Sequence, residues 1–215
     1  MNLLNNVYFY GLIGTIRNWQ LSNYQWVTKR ADLVIEGFPR SANTYLHRIV
    51  RAATGNKLSI GNHVHRPQQV SVAINHGIPV FVIFRHPLEC ISSYLVREPG
   101  LKVDSCINDY INFANHVLQY KNDPLLCIFT FEQVINAPIA VTSTIIKKIG
   151  EDAIITDELI SKATLDTRVQ SSRSSLPNAK KEELKLKYLK EIQNHSSFQV
   201  AVNLFKLAEE ARCEL

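Results

Sequence analysis

The sequence is short of the residues that mark fibrous, low-complexity and disulfide-rich proteins. It has eight glycines and eight prolines among 215 residues, which excludes collagen-like and low-complexity chains. Its four cysteines form no CxxC pair and no metal-ligand spacing. This pattern favours free thiols, no disulfide framework and a reducing compartment. The hydrophobic fraction of 46% is that of an ordinary globular protein. The length of 215 residues predicts a single domain spanning residues 1–215.

A long apolar run is missing as well. The apolar stretch from Val7 to Ile16 is too short to cross a bilayer and lacks a basic flank and a cleavage site. We therefore expect no integral membrane segment and a cytoplasmic protein, with a peripheral membrane contact left open. The net charge of +5 favours anionic ligands, but it is too small to indicate nucleic acid as a partner.

Three continuous apolar runs predict strands that are covered on both faces, as in a parallel sheet. They are Asp32–Glu36, Pro79–Phe84 and Leu125–Phe131. Helical patterns lie between and after them, and the alternation predicts a three-layer α/β fold with a central parallel sheet flanked by helices. Asp104 is predicted to cap the clearest helix. The predicted helices are Asn43–Ala53, Pro67–Asn75, Leu88–Val96, Asp104–Tyr120 and Ile139–Ile149.

The character of the chain changes after Ser161. A polar, serine-rich stretch precedes two predicted helices, from about Asn178 to Ile192 and from about Phe198 to Ala211. We expect residues from about 166 to 215 to form a helical C-terminal cap of the same domain. The polar loop before the helices is a candidate lid.

The first strand leads into the segment LVIEGFPRSANTYL, which has the layout of a phosphate-binding loop. Compared with the pattern GxxxxGK[ST], Gly37 and Thr44 match the first glycine and the hydroxyl, whereas Ala42 and Asn43 replace the second glycine and the lysine. Arg40 is the cation of this loop. Its planar guanidinium suits phosphate or sulfate oxygens, which it can bind through two parallel hydrogen bonds.

The run ending at Phe84 is followed by Arg85, His86 and Pro87. Kinases and GTPases with a P-loop need an acidic residue after a strand to hold magnesium, and here a cation takes that place. The two strand ends together favour a ligand that carries phosphate at two separate positions, bound without a metal.

These segments resemble those of the sulfotransferases that use 3'-phosphoadenosine 5'-phosphosulfate (PAPS). GFPRSANTYL resembles their 5'-phosphosulfate loop, typically TYPKSGTTWL, and VFVIFRHPLECISSYLV resembles their 3'-phosphate segment. LLCIFTFEQVINAP resembles a later strand and turn more weakly. The matches run in the family's order over roughly Leu33 to Pro138, and they imply a P-loop-type fold and PAPS as cosubstrate.

The resemblance implies roles for individual residues. Arg40 would bind the 5'-phosphosulfate and stabilise the leaving phosphate, and Arg85 and Ser93 would hold the 3'-phosphate. The family's RKGxxG element is missing near the C-terminus, and Arg173 is the arginine placed to substitute for it. The remaining positions expected to contact the cosubstrate are Ser41, Ala42, Asn43, Thr44 and Tyr45.

The resemblance to cytosolic sulfotransferases implies a histidine as the catalytic base, and the chain from Tyr45 to Pro67 contains no Asp or Glu that could replace it. The segment NHVHRP contains His63 and His65, and the latter matches the H-x-P of the family's KTHLP-like segment. An imidazole is suited to accept a proton at neutral pH. We therefore predict His65 as the base, with His63 as the alternative and structural roles for both histidines left open.

Three functions are compatible with these motifs. The first is sulfuryl transfer from PAPS to a hydroxyl or amine of a small-molecule or carbohydrate acceptor. The second is a nucleotide or small-molecule kinase with an aberrant P-loop. The third is a non-catalytic module that binds anions. The motifs specify neither the acceptor nor the oligomeric state.

Overall fold

The computed structural model describes residues 26–165 and 179–215. Within these ranges, four parallel strands form one sheet with the order β2-β1-β3-β4. The three predicted strands are confirmed to within one residue at every end, whereas the short β2 was not predicted. The strands are β1 Leu33–Gly37, β2 Ile60–Asn62, β3 Val80–Phe84 and β4 Leu126–Thr130.

Helices follow and separate the strands in the predicted alternation. The five predicted internal helices and both C-terminal helices are present, while α5 and α7 were not predicted. The helices are α1 Asn43–Ala53, α2 Gln68–Asn75, α3 Pro87–Arg97, α4 Val103–Leu118, α5 Phe131–Asn136, α6 Pro138–Lys148, α7 Asp157–Leu165, α8 Ala179–Gln193 and α9 Phe198–Glu210.

Both faces of the sheet are covered by helices. Val80, Val82 and Phe84 of β3 pack in one apolar cluster with residues of α2, α3, α4, α8 and α9. Phe81 and Ile83 point to the other face, where they pack with residues of α1, α5 and α6. Successive strand side chains alternate between faces, so an uninterrupted apolar strand supplies both clusters. The predicted α/β architecture with a central parallel sheet is confirmed.

The chain changes direction across the sheet at β1. The connection through α1 leads outward to β2, and the connection through α2 returns past β1 to β3. The register pairs Gly37 of β1 with Ile83 of β3, so the carboxyl ends of these two strands lie side by side. In open parallel sheets, ligands bind in the crevice formed at such a point.

The cap predicted at Asp104 is wrong. Helix α4 begins at Val103, and its N-cap residue Lys102 makes no side-chain capping bond. Asp104 therefore lies inside the first turn, where a carboxylate interacts favourably with the helix dipole. Its carboxylate instead lies 3.2 Å from His195 Nε2, which ties α4 to the turn between α8 and α9.

The prediction of four free thiols is also wrong. A disulfide joins Cys127 of β4 to Cys213, while Cys90 and Cys106 are free and buried. The tail reaches β4 because the Cys213 N–H donates to the carbonyl of Ile128 at 2.8 Å. The two bonded cysteines are 86 residues apart, so their spacing in the sequence gave no sign of the pairing. The predicted lid and Arg173 fall outside the described residues.

Candidate functional site

The connection between β1 and α1 is a tight loop closed by its own side chains. Asn43 Nδ2 donates to the carbonyl of Gly37 at 3.0 Å and also lies 3.4 Å from the carbonyl of Phe38. A Cβ atom at Gly37 would lie 2.6 Å from the carbonyl oxygen of Ile83 and 2.5 Å from Asn43 Oδ1. Only glycine fits there, because the backbone of β3 passes so close.

The N-terminus of α1 faces the crevice with unpaired donors. No side chain caps the helix, and its first internal hydrogen bond runs from Leu46 N–H to the carbonyl of Ala42 at 3.1 Å. The N–H groups of the first helical turn therefore have no partner within the helix. Arg40 and Ala42 have φ of 72° and 70°, and the buried Ser41 Oγ between them lacks a hydrogen-bond partner. Free amides at a helix N-terminus beside such a turn suit an anion.

Three of the residues predicted to bind the cosubstrate meet at this crevice. Arg85 Nη1 donates to the backbone carbonyl of Arg40 at 2.9 Å. Arg40 Nε donates to Ser93 Oγ at 3.0 Å. Burial, together with the charges of Arg97 and Arg85, lowers the pKa of Arg40. Two guanidiniums this close are mutually unfavourable, and a bound anion would relieve the repulsion.

Two further contacts hold Arg85, one through its side chain and one through its backbone. Its guanidinium lies over the ring of Phe131 with 4.0 Å from Cζ to the ring centroid, a favourable cation–π arrangement. Its backbone carbonyl accepts a hydrogen bond from Tyr110 Oη at 3.0 Å. Glu89 Oε2 also lies 3.8 Å from Arg85 Nη2, a long ion pair between residues one helical turn apart.

His65 presents one free ring nitrogen. Its Nδ1 lies 3.0 Å from the carbonyl of Gly37, and because a carbonyl only accepts, Nδ1 carries the hydrogen. Nε2 then keeps its lone pair, and none of the hydrogen bonds among the described residues uses it. The side chain is 29% exposed. With this tautomer, Nε2 is the ring nitrogen whose lone pair is open to a ligand.

Glu36 is a buried carboxylate behind His65. Its side chain has no exposure and accepts hydrogen bonds from Val64 N–H at 2.9 Å, His65 N–H at 3.3 Å and Gln69 Nε2 at 2.8 Å. His63 and His65 both have positive φ, at 57° and 52°, and these bonds hold the loop in that unfavourable conformation. Burial raises the pKa of Glu36, and His65 partly offsets the rise.

His63 has both ring nitrogens engaged. Asn62 Nδ2 donates to the carbonyl of Ile60 at 2.8 Å, so the Asn62 oxygen faces His63 and accepts from its Nδ1. His63 Nε2 therefore accepts from Thr44 Oγ1 at 2.7 Å. Burial and the charges of His65 and Arg48 lower the pKa of His63 to about 4. His63 is thus a neutral acceptor that positions Thr44.

The other predicted positions contribute differently. The Asn43 side chain is buried and turned toward Gly37 and Phe38, which leaves its backbone N–H for a ligand. The Tyr45 side chain is partly buried against the apolar cluster beneath α1. Its backbone N–H is therefore the group that could contact a ligand. Arg173 lies outside the described residues, and its predicted contact stays a prediction.

Several residues near the site were missed by the sequence reasoning. Glu36 was counted as part of an apolar strand, although a carboxylate inside a buried run is itself a signal of a special role. Arg97 lies one helical turn beyond Ser93 on α3, and this i, i+4 spacing was visible in the sequence. Lys185 reaches the site from α8, and nothing in the local sequence indicated that contact.

Two kinds of feature are absent from residues 26–165 and 179–215. Within these ranges, no three His, Cys, Asp or Glu side chains group so as to hold a metal ion. The helices described there are all too short or too polar to cross a membrane.

No protein-family model matches the chain, and no curated protein matches its sequence. Solved structures do match. One is a mouse sulfotransferase, SULT7A1, complexed with PAP; it has a TM-score of 0.51 and 9% sequence identity, and the match covers 81% of this chain and 89% of that chain. The chain has a sulfotransferase-like fold. At this identity the likeness concerns the fold alone.

Proposed function

We propose that the protein is a sulfotransferase that uses PAPS to sulfate a hydroxyl or amine of a small-molecule or carbohydrate acceptor. The observation that carries this proposal is the cluster of Arg40, Arg85 and Ser93, which joins the carboxyl ends of β1 and β3 through two hydrogen bonds. The sulfotransferase-like fold supports it. The proposed location is the cytoplasm, although the Cys127–Cys213 disulfide removes part of the cysteine argument for it.

The residues at the crevice fit such a cosubstrate. Ser41 Oγ is buried without a partner, and the first N–H groups of α1 are uncapped, so a phosphosulfate would supply the acceptors that they lack. Arg85 and Ser93 would hold a second phosphate at the end of β3. PAPS supplies the activated sulfuryl group, and no metal is needed in this arrangement.

The chain's own groups then perform two tasks. His65 Nε2 takes the proton of the acceptor, while the Gly37 carbonyl orients the ring and Glu36 holds the backbone of His65. Arg40 neutralises the negative charge that grows on the leaving phosphate. His63 contributes through Thr44, because both of its nitrogens are already in use.

Isothermal titration with adenosine 3',5'-bisphosphate in the presence of EDTA tests the binding half of the proposal. We expect binding without magnesium. Arg85→Ala should weaken binding of the 3',5'-bisphosphate far more than binding of adenosine 5'-monophosphate. Magnesium-dependent ATP binding would instead indicate a kinase, and a folded protein that binds no nucleotide would indicate a non-catalytic module.

Turnover with PAPS and a panel of phenols, amines and sugars tests the chemical half. His65→Ala should lower turnover by about 10²- to 10⁴-fold with little change in nucleotide affinity. His76→Ala, at a partly exposed position directly after α2, is the matched control and should leave turnover unchanged. Unchanged turnover in His65→Ala would show that another group is the base.

A further inference from the structure

One carboxylate oxygen lies between two cations at the end of β3. Glu89 Oε2 is 3.2 Å from Lys185 Nζ and 3.8 Å from Arg85 Nη2. Arg85 directly follows β3, Glu89 lies in the first turn of α3, and Lys185 comes from α8, 96 residues further along the chain. Helix α8 therefore brings the ammonium group of Lys185 close to the guanidinium of Arg85, the group proposed to bind a phosphate.

The position of Lys185 is set by the packing of α8 on the domain. Tyr188 and Ile192 lie three and seven residues after Lys185, which puts all three on one face of the helix. Both pack in the cluster that covers one face of the sheet, and Ile192 is fully buried. Lys185 is thus on the inward face of α8, whereas the neighbouring Lys187 is exposed.

The contact with Glu89 is easily replaced. The side chains of Arg85, Glu89 and Lys185 are 20%, 42% and 31% exposed, and ion pairs with this much solvent access contribute only about 0 to 1 kcal/mol. One carboxylate charge also leaves two cations incompletely neutralised. A phosphate carries a charge of about −1.5 to −2 and three acceptor oxygens, so it can bond both cations at once.

We propose that Lys185 is a second cation for the 3'-phosphate of the nucleotide, and that the Glu89 carboxylate occupies the phosphate's place until the nucleotide binds. The inference rests on the proposed function and adds one binding residue and one displaced residue to it. Binding moves Glu89 out from between the cations. Helix α8 is then tied to the nucleotide through Lys185 rather than to α3 alone.

Titration calorimetry in EDTA, with adenosine 3',5'-bisphosphate and adenosine 5'-monophosphate as the two probes, tests this inference. Lys185→Met should weaken bisphosphate binding by about tenfold, as expected for the loss of a charged hydrogen bond, and leave the monophosphate unaffected. Lys185→Arg should keep the preference for the bisphosphate. Glu89→Gln should tighten bisphosphate binding, because the competing carboxylate charge is gone. Lys187→Met is the matched control and should change neither affinity.

Circular dichroism establishes that each variant is folded before titration. If Lys185→Met leaves bisphosphate affinity unchanged, or weakens both nucleotides equally, the role of Lys185 is refuted while the proposed function stands. If Glu89→Gln weakens bisphosphate binding, the carboxylate supports Arg85 and is not displaced. If the wild-type protein does not distinguish the two nucleotides, the proposed function itself fails.

Discussion

Glu36 has no solvent exposure, and its carboxylate accepts three hydrogen bonds from residues 28 to 33 positions away in the sequence. The donors include the backbone N–H groups of Val64 and His65. Burying a carboxylate is costly unless its oxygens are bonded. The arrangement is therefore best understood as support for the loop that carries His65.

We predict that Glu36→Gln releases His65. A glutamine offers one acceptor oxygen and places an NH2 group against existing donors, so at least one buried partner loses its bond. That loss costs about 1 to 3 kcal/mol of stability. It should also shift the His65 tautomer away from Nδ1–H, which ¹⁵N NMR of the imidazole measures. Glu132→Gln, at an exposed position, serves as the control, and an unchanged tautomer in Glu36→Gln would contradict the prediction.

The sequence predicted which residues lie close together where a polar or charged residue follows an apolar strand. Arg40 lies three residues after β1, Arg85 directly follows β3, and Ser93 lies in the helix α3 that comes next. Parallel strands bring such positions together. Their proximity could therefore be predicted, although their roles toward a ligand stay predictions. Glu36 could not be identified in this way, because its partners come from a loop whose course depends on the whole fold.

At the scale of elements, the junction of β1 and α1 has the strictest steric requirements. The backbone of β3 leaves no room for a side chain at Gly37. Ala42, two residues after Arg40, adopts a left-handed conformation with φ of 70°, which costs an L-residue about 1 to 2 kcal/mol. The loop thus needs glycine at one position and tolerates alanine at another under strain.

These two positions predict opposite responses to exchange between glycine and alanine. Gly37→Ala should lower the free energy of unfolding by more than about 2 kcal/mol, because the new Cβ would meet a backbone carbonyl. Ala42→Gly relieves strain and should be about 1 kcal/mol more stable than Ala140→Gly, a control inside α6 where glycine only loses helix propensity. Urea unfolding measures all three. If Ala42→Gly and Ala140→Gly lower the free energy of unfolding equally, the left-handed conformation of Ala42 stores no strain.

The elements that the sequence did not predict are short or have a weak pattern of apolar residues. β2 has three residues, and only Ile60 is apolar, so no run was visible. α5 has six residues, although its Thr130 and Gln133 form a capping box that the sequence displays. Longer elements were predicted because their apolar periodicity extends over several turns. The contact between α8 and α3 joins segments far apart in the chain, and pattern alone does not reveal it.

At the scale of the whole molecule, the charges around the site affect folding as well as binding. The chain has no acidic residue from Gly37 to Leu88. Within this stretch, burial and neighbouring positive groups lower the pKa of both His47 and His63 to about 4. Two neutral histidines are therefore built into the folded state.

This cluster predicts loss of stability in acid. Below pH 6.5 the unfolded chain binds protons at both histidines, whereas the folded protein does not until about pH 4. The free energy of unfolding should therefore fall as the pH drops through this window, by about 2 kcal/mol for each histidine. Glu36, with its raised pKa, acts in the opposite sense. Urea unfolding at pH 7.0 and 4.5 measures the difference.

The double variant His47→Gln and His63→Gln isolates the histidine contribution, because Glu36 is present in both proteins. Its stability should depend less on pH over the same range than that of the wild type. Parallel pH profiles for the two proteins would show that the histidines do not cause the acid sensitivity.

The backbone at Cys213 runs beside β4 and occupies the carbonyl of Ile128. An outer strand whose carbonyl is already bonded by its own chain is a poor template for a strand of another molecule. Removing Cys213 and its backbone would expose the Ile128 carbonyl on this strand, and we expect that change to favour strand pairing between molecules.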